Sequence, residues 1–187
     1  MEKEAIEIGL PDKIEFSDHG HFIGIIRKWF GPKIIFLTFF VIFWDGFLFS
    51  LYSKAIHSQD MMSMLFPLLH VAVGIGLTYY VIAGYLNKTY VRVDYSSIVI
   101  KDSPLPFFRN KTLNSSDIKQ LYSKEKIRHN RESGSSVSYE VHSVTNDKKN
   151  IKLLRGLESS EQALFIEQEI EKFLKIEDKR VKGELGR

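Results

Sequence analysis

Two long apolar runs in the middle of the chain constrain its fold more than any other feature. They cover residues 34–52 and 65–86, and a short polar link separates them. The first run holds one charged side chain, Asp45, and the second holds none, although it includes His70. A helix rises about 1.5 Å per residue, so each run can cross a hydrocarbon core of about 30 Å. We therefore predict a transmembrane hairpin over residues 34–86.

The charges beside these runs predict how the hairpin is oriented. The link between the runs has one basic residue, Lys54, opposed by Asp60. Basic residues are more numerous at the outer ends: Arg27, Lys28, Lys33, Lys88 and Arg92. Because basic flanks favour the cytoplasmic side of a membrane, we expect a multi-pass protein with both termini in the cytoplasm.

Composition excludes several classes of function. The 187 residues include no cysteine, which rules out disulfides, thiolate catalysis and cysteine-based metal sites. The net charge of +3 is far from the basic footprint of a nucleic-acid-binding protein. The sequence has no Gly-rich phosphate loop, nucleophile elbow or HExxH motif. We therefore expect a protein that is not an enzyme, with no cofactor, no metal and no nucleic-acid partner.

Residues 1–33 predict a cytoplasmic β-hairpin. Two short alternating runs, at 13–17 and 22–26, flank the segment Asp18-His-Gly-His, in which Gly20 can supply the positive φ of a turn. His19 and His21 lack a third ligand nearby, so we do not interpret them as a metal site.

Residues 87–177 predict several short strands followed by a helix. Period-two alternation indicates strands near 91–94, 98–101, 117–127, 137–144 and 151–154, with a polar loop over 129–136. Ser159 and Gln162 have the spacing of a capping box, and an apolar stripe from Ala163 to Leu174 indicates an amphipathic helix. The tail, 178–187, has little to bury, and we expect it to be flexible.

This arrangement of strands closed by one C-terminal helix resembles a pleckstrin-homology-like (PH-like) barrel. The resemblance implies an α+β membrane protein in which a transmembrane hairpin precedes a PH-like antiparallel β-barrel, capped by a C-terminal amphipathic helix. The strands at 87–177 are one or two short of a closed barrel, so the hairpin at 1–33 is a candidate to complete it.

The whole chain also resembles an uncharacterised bacterial family that combines a two-helix membrane hairpin with a bacterial PH-like domain. The segments that carry the resemblance include Arg27-Lys-Trp-Phe, Phe43-Trp-Asp-Gly-Phe, Phe66-Pro-Leu-Leu-His, Pro104-Leu-Pro, Ile118-Lys-Gln-Leu-Tyr and Leu157-Glu-Ser-Ser-Glu. The resemblance implies a location in the bacterial plasma (inner) membrane and brings no enzymatic motif.

Asp45 and His70 are the ionisable residues within the two apolar runs. In an antiparallel hairpin both lie at a similar depth, about 8–10 Å from the outer side. An intramembrane carboxylate needs a partner, so we predict a contact between Asp45 and His70. We favour a structural latch over proton transfer, because one polar pair near one face is not a relay.

A second candidate site is a basic loop whose first members fall at the end of the strand predicted over 117–127. Its members are Lys124, Lys126, Arg128, His129 and Arg131. Such a cluster can contact anionic headgroups. We therefore expect a non-catalytic, membrane-anchored PH-like binding module that contacts lipid headgroups or a protein partner, including a second copy. The alternative is a subunit of an oligomeric small transporter or channel that uses Asp45 and His70.

Overall fold

The chain divides into two compact units. The computed structural model describes residues 8–58, 65, 68–107, 110–130 and 134–185. The first unit, the β unit, consists of the described residues of Met1–Lys28, Thr89–Asp102 and Pro106–Arg187. The second, the helical unit, consists of the described residues of Trp29–Lys88 and Ser103–Leu105. Most of the predicted polar link, at 59–64, lies outside the described residues.

The β unit contains two antiparallel sheets. The first has five strands in the order β1-β2-β3-β4-β5 and the second has three in the order β6-β7-β8. Their bounds are β1 Ile14–Asp18, β2 Phe22–Lys28, β3 Lys88–Asp94, β4 Ser97–Ser103, β5 Lys111–Asn114, β6 Ile118–Asn130, β7 Gly134–Thr145 and β8 Asn150–Leu157. A short 3₁₀ turn, Ser115–Asp117, leads the chain from the first sheet into the second.

The N-terminal hairpin lies in the same sheet as the strands that follow the two apolar helices. β1 pairs with β2 in antiparallel register, with Ile14 opposite Arg27. Gly20 adopts φ +77° in the turn, and its N–H donates to Asp18 Oδ1 at 2.8 Å. Because β2 is hydrogen-bonded to β3, the apolar helices are an insertion between two neighbouring strands of one sheet.

The α+β class is confirmed, whereas the predicted closed barrel is not found. The described strands form two separate sheets, so the expected barrel is corrected to a pair of sheets. The short β5 ends at a 3₁₀ turn, where the chain leaves the first sheet. Alternation in the sequence reveals the strands but not which strand edges pair. Edge pairing decides whether the strands form two sheets or one closed barrel.

The C-terminal helix α3, Ser160–Leu174, forms as the sequence predicts. Ser159 is its N-cap, and the Ser159 hydroxyl accepts from the N–H of Gln162 at 3.3 Å. Its apolar stripe, including Ala163, Ile166 and Ile170, is buried in a core shared with residues of both sheets. The Gln162 side chain also donates to the carbonyl of Asp12 at 2.8 Å, which joins the start of α3 to the start of β1.

Two segments differ from the predicted loop and tail. β6 and β7 continue through most of the predicted polar loop, with Asn130 opposite Gly134. In the predicted flexible tail, the N–H of Leu185 donates to the carbonyl of Ser123 at 2.8 Å. Backbone hydrogen bonds to a strand stabilise both segments, although neither contains the apolar alternation that marks a strand in the sequence.

The helical unit contains two helices that are long and apolar enough to cross a membrane. α1 is Pro32–Ser58 and α2 is Leu68–Leu86, close to the predicted spans. The carbonyl of Gly31 accepts from the N–H groups of Ile34 and Ile35, so α1 begins at Pro32. Only 17% and 22% of the two apolar windows are buried, whereas a core helix of a soluble protein is mostly buried. The rest is apolar surface suited to lipid.

Glycines allow α1 and α2 to approach each other closely. A Cβ added at Gly84 would lie 2.5 Å from Ile34 Cδ1, and one at Gly74 would lie 3.0 Å from Asp45 Oδ1. Nothing lies within 4 Å of such an atom at Gly76. Small residues at a helix interface permit tight backbone packing. Here Gly74 and Gly84 have that role, whereas Gly76 does not face α1.

Replacing the N-cap of α3 should destabilise the β unit. In Ser159→Ala the N–H of Gln162 loses its acceptor, and we expect the free energy of unfolding to fall by about 1 kcal/mol. Urea unfolding of the full chain in detergent measures this loss. Ser116→Ala, at an exposed position outside α3, is the control and should leave the midpoint unchanged. Equal midpoints for the two variants would contradict the capping role.

Candidate functional site

Asp45 finds a hydrogen-bond partner on the facing helix. The hydroxyl of Thr78 donates to Asp45 Oδ2 at 2.9 Å, and both side chains are half-buried. A second bond between the helices joins the hydroxyls of Thr38 and Tyr85 at 3.0 Å. A carboxylate in hydrocarbon is costly unless it is hydrogen-bonded. Thr78 therefore provides part of the hydrogen bonding that we predicted His70 to provide.

His70 packs against the residue that precedes Asp45. The imidazole of His70 stacks on the indole of Trp44, with 5.9 Å between ring centroids, and Trp44 Nε1–H donates to the His70 carbonyl at 3.5 Å. Thr78 is two turns further along α2, about 12 Å of rise from His70. The structure therefore brings Asp45 to Thr78 and His70 to Trp44, and the direct Asp45–His70 contact stays a prediction.

A groove opens beside this carboxylate in the helical unit. Its volume is about 490 Å³, and it is lined by Asp45, Thr78 and Tyr79 together with aliphatic side chains such as Leu48 and Ile75. This groove has one carboxylate, Asp45, among the described residues that line it. It therefore resembles a surface for lipid or another helix more than a proton path.

The predicted basic loop lies on strand β6. Lys124, Lys126 and Arg128 alternate along the strand and therefore share one face of the β6–β7 hairpin. Lys124 and Arg128 are exposed, whereas Lys126 is half-buried beside Glu140. Of His129 only the backbone is described, and Arg131 lies outside the described residues. Three of the predicted cations are thus fixed on a strand.

The opposite face of this hairpin carries exposed apolar side chains. Ile127 and Val137 are cross-strand partners, 50% and 47% exposed. Nearer the core the same face is fully covered, as at Leu121 and Val141. The hairpin therefore continues beyond the core, and its end combines cations on one face with an apolar pair on the other.

Glu140 is a buried carboxylate that sequence reasoning missed. Lys152 Nζ lies 2.8 Å from its Oε2, His142 Nε2 lies 3.0 Å from the same oxygen, and Lys126 Nζ lies 3.3 Å from Oε1. Burial raises the pKa of Glu140, but hydrogen bonds from Lys152, His142 and Lys126 outweigh it and lower the pKa to about 2. The signal in the sequence was one acidic residue among basic neighbours on adjacent strands.

The polar cluster around Glu140 continues through His142. The imidazole stacks on the ring of Tyr122 at 5.2 Å between centroids, and its Nδ1 lies 2.9 Å from Asn150 Oδ1. The Asn150 amide in turn donates to the Tyr122 hydroxyl. These contacts tie β6, β7 and β8 together on one face of the sheet.

Three carboxylates meet where the tail returns to the β unit. Ligand atoms of Glu167, Asp178 and Glu184 lie within 4.8 Å of one another. The Gln120 amide donates to Asp178 at 3.5 Å, and the N–H of Val181 donates to Glu184 at 2.9 Å. Donors of this kind stabilise the charged form of a carboxylate. The expectation of no metal stays a prediction.

Removing the Thr78 hydroxyl should reveal whether Asp45 is held by Thr78 or by His70. A double-mutant cycle combines Asp45→Asn with Thr78→Val, and a second combines it with His70→Gln. We expect a coupling free energy of about 0.5–2 kcal/mol for the Thr78 cycle, measured by unfolding in detergent. Thr78→Ser keeps the hydroxyl and serves as the control. A coupling confined to the His70 cycle would reject the Thr78 bond and restore the predicted pair.

Protonation of Glu140 should weaken the β unit in acid. The folded pKa of about 2 lies below the ordinary value of 4.5, so Glu140 stabilises the fold above pH 4.5 and this stabilisation disappears as pH falls toward 2. The loss is at most about 3 kcal/mol. Urea unfolding at pH 6, 4 and 3 should show a smaller decrease for Glu140→Gln than for the wild type. Parallel decreases would contradict the assignment.

Two features of the described residues therefore bear on function: the cationic and apolar end of the β6–β7 hairpin, and the half-buried Asp45 of the helical unit. Neither has the geometry of a nucleophile with its base or of an oxyanion hole. No family model matches this chain, and no curated protein matches its sequence.

Proposed function

We propose that this protein is a non-catalytic, membrane-anchored binding module of the PH-like kind, and that it contacts anionic lipid headgroups. The observation that carries the proposal is the end of the β6–β7 hairpin. There, exposed Lys124 and Arg128 accompany the exposed apolar pair Ile127 and Val137. A strand end that carries apolar side chains on one face and cations on the other suits the boundary between acyl chains and anionic headgroups.

The connection of the two units supports a membrane surface as the ligand. The β unit follows the spanning segments with almost no intervening chain, since β2 ends at Lys28 before α1 begins at Pro32, and β3 begins at Lys88 after α2 ends at Leu86. A tether this short gives the lipid a high effective concentration at the β unit. Each cation near an anionic surface contributes about 1 kcal/mol.

A second candidate function is the oligomeric transporter or channel built on Asp45 and His70. The groove beside Asp45 favours it, because a carboxylate open to an apolar groove can face a neighbouring helix. Thr78 already donates a hydrogen bond to one oxygen of Asp45. A structural role in joining the two helices therefore explains this carboxylate without any transport function. We therefore rank the binding module first, with both termini in the cytoplasm of a bacterial cell.

A dye placed at the hairpin end should report the lipid contact. The chain has no cysteine, so Val137→Cys provides a single site for an environment-sensitive fluorophore. In nanodiscs of full-length protein we expect a blue shift of emission with phosphatidylglycerol and little shift with phosphatidylcholine. High salt should reduce the shift, because it screens exposed charges.

Two matched variants complete this test. Lys124→Gln with Arg128→Gln should abolish the response to phosphatidylglycerol, whereas a fluorophore at Asp147→Cys, in the exposed turn after β7, should not respond at all. Equal emission in both lipids would reject headgroup contact. In that case, crosslinking from position 137 in native membranes would test a protein partner instead.

A further inference from the structure

A small cavity in the β unit is lined by three cations. It holds about 150 Å³ and lies among side chains of β3, β4, β5 and β8. Its wall is apolar where Ile100, Leu153 and Leu154 are buried, and its charged members are Lys111, Lys152 and Arg155. A water molecule occupies about 30 Å³, so the cavity has room for one phosphate group with a few waters.

A hydrogen bond holds the ammonium group of Lys111 in position at this cavity. Lys111 Nζ donates to the carbonyl of Lys152 at 2.6 Å, which bridges β5 and β8. The Arg27 guanidinium donates to the carbonyl of Arg155 at 3.3 Å and to that of Gly156, which adds a further positive charge beside β8. Residue Gly156 adopts φ +69°, so the strand backbone bends at this point.

Positive charge at the cavity is only partly neutralised within the described residues. Glu140 pairs with Lys152, and the buried carboxylate of Asp102 accepts a hydrogen bond at 2.7 Å from the hydroxyl of Thr89, which lines the cavity. Lys111 shows the resulting imbalance: burial, together with repulsion from Arg155 and Lys152, lowers its pKa. A cation with a lowered pKa gains most from a bound anion, since the anion removes that repulsion.

We propose that the cavity bounded by Lys111, Lys152 and Arg155 binds a phosphate group. Lys111 and Arg155 are the two cations of the cavity that Glu140 does not contact, and the guanidinium of Arg155 can donate two hydrogen bonds to a phosphate. The group comes either from a lipid headgroup or from a soluble phosphate ion. If the phosphate comes from a lipid, this inference rests on the proposed function. If it is a soluble ion, the inference stands by itself, because the cavity is distinct from the β6–β7 hairpin end.

Hydrogen exchange of the full chain in maltoside micelles tests this site. One arm adds inorganic phosphate in place of chloride at constant ionic strength. A second arm omits phosphate and adds either phosphatidylglycerol or a phosphate-free glycolipid to the micelles. We expect slower exchange in β5 and β8, by about tenfold at ten times the dissociation constant. Slowing in the first arm alone identifies a soluble ion, and slowing in the second identifies a headgroup.

The controls separate this cavity from general attraction of anions. Lys111→Gln and Arg155→Gln, made singly, should each reduce the slowing, whereas Lys101→Gln should retain it. Lys101 is exposed on β4 next to Ile100, with its side chain on the opposite face of the sheet. No slowing in either arm, or equal slowing in all variants, overturns the site. The fluorophore at position 137 responds independently, so failure here leaves the hairpin contact standing.

Discussion

Backbone hydrogen bonds between β2 and β3 join two parts of the chain that the whole helical hairpin separates in sequence. An isolated two-stranded hairpin is marginally stable in water, so β1 and β2 depend on β3 for their fold. Strand β3 in turn would expose an open edge without β2. This pairing makes the β unit discontinuous in sequence, because the whole helical hairpin is inserted between β2 and β3.

The two units stabilise a carboxylate in different ways. In the β unit, Glu140 keeps its charge because two lysines and His142 donate to it. In the helical unit, Asp45 has the hydroxyl of Thr78, a neutral donor, and an apolar groove beside it. Buried ions are stabilised best by several charged donors, so the contacts of Glu140 already give it a structural role. Asp45 retains capacity for a further contact, which the alternative transporter function would require.

The β unit carries two surfaces for which we propose contact with phosphate groups. The hairpin end offers exposed cations and apolar side chains on opposite faces, whereas the cavity offers three cations, of which Lys111 is held by a backbone carbonyl. The first kind of surface suits weak, salt-dependent contact with many headgroups. The second suits a single phosphate group, because a donor that is already held loses little freedom on binding. A tethered module gains from both kinds of contact.

The sequence by itself determined the elements with strong local signals. Two apolar runs predicted helices long enough to cross a membrane, alternation predicted most strands, and Ser159 with Gln162 predicted the start of α3. Each of these signals depends on neighbouring residues alone, through helix rise, strand pleat or a local cap.

Only the tertiary structure decided how distant residues meet. Strand pairing produced two sheets where we expected a barrel, extended β6 to Asn130 in the predicted basic loop, and assembled Glu140 with its three donors. The packing of the two helices gave Asp45 the partner Thr78, and the packing of the two sheets brought Lys111 to the backbone of β8. Edge pairing and helix rotation depend on the packing of the whole chain, and a linear pattern carries no record of either.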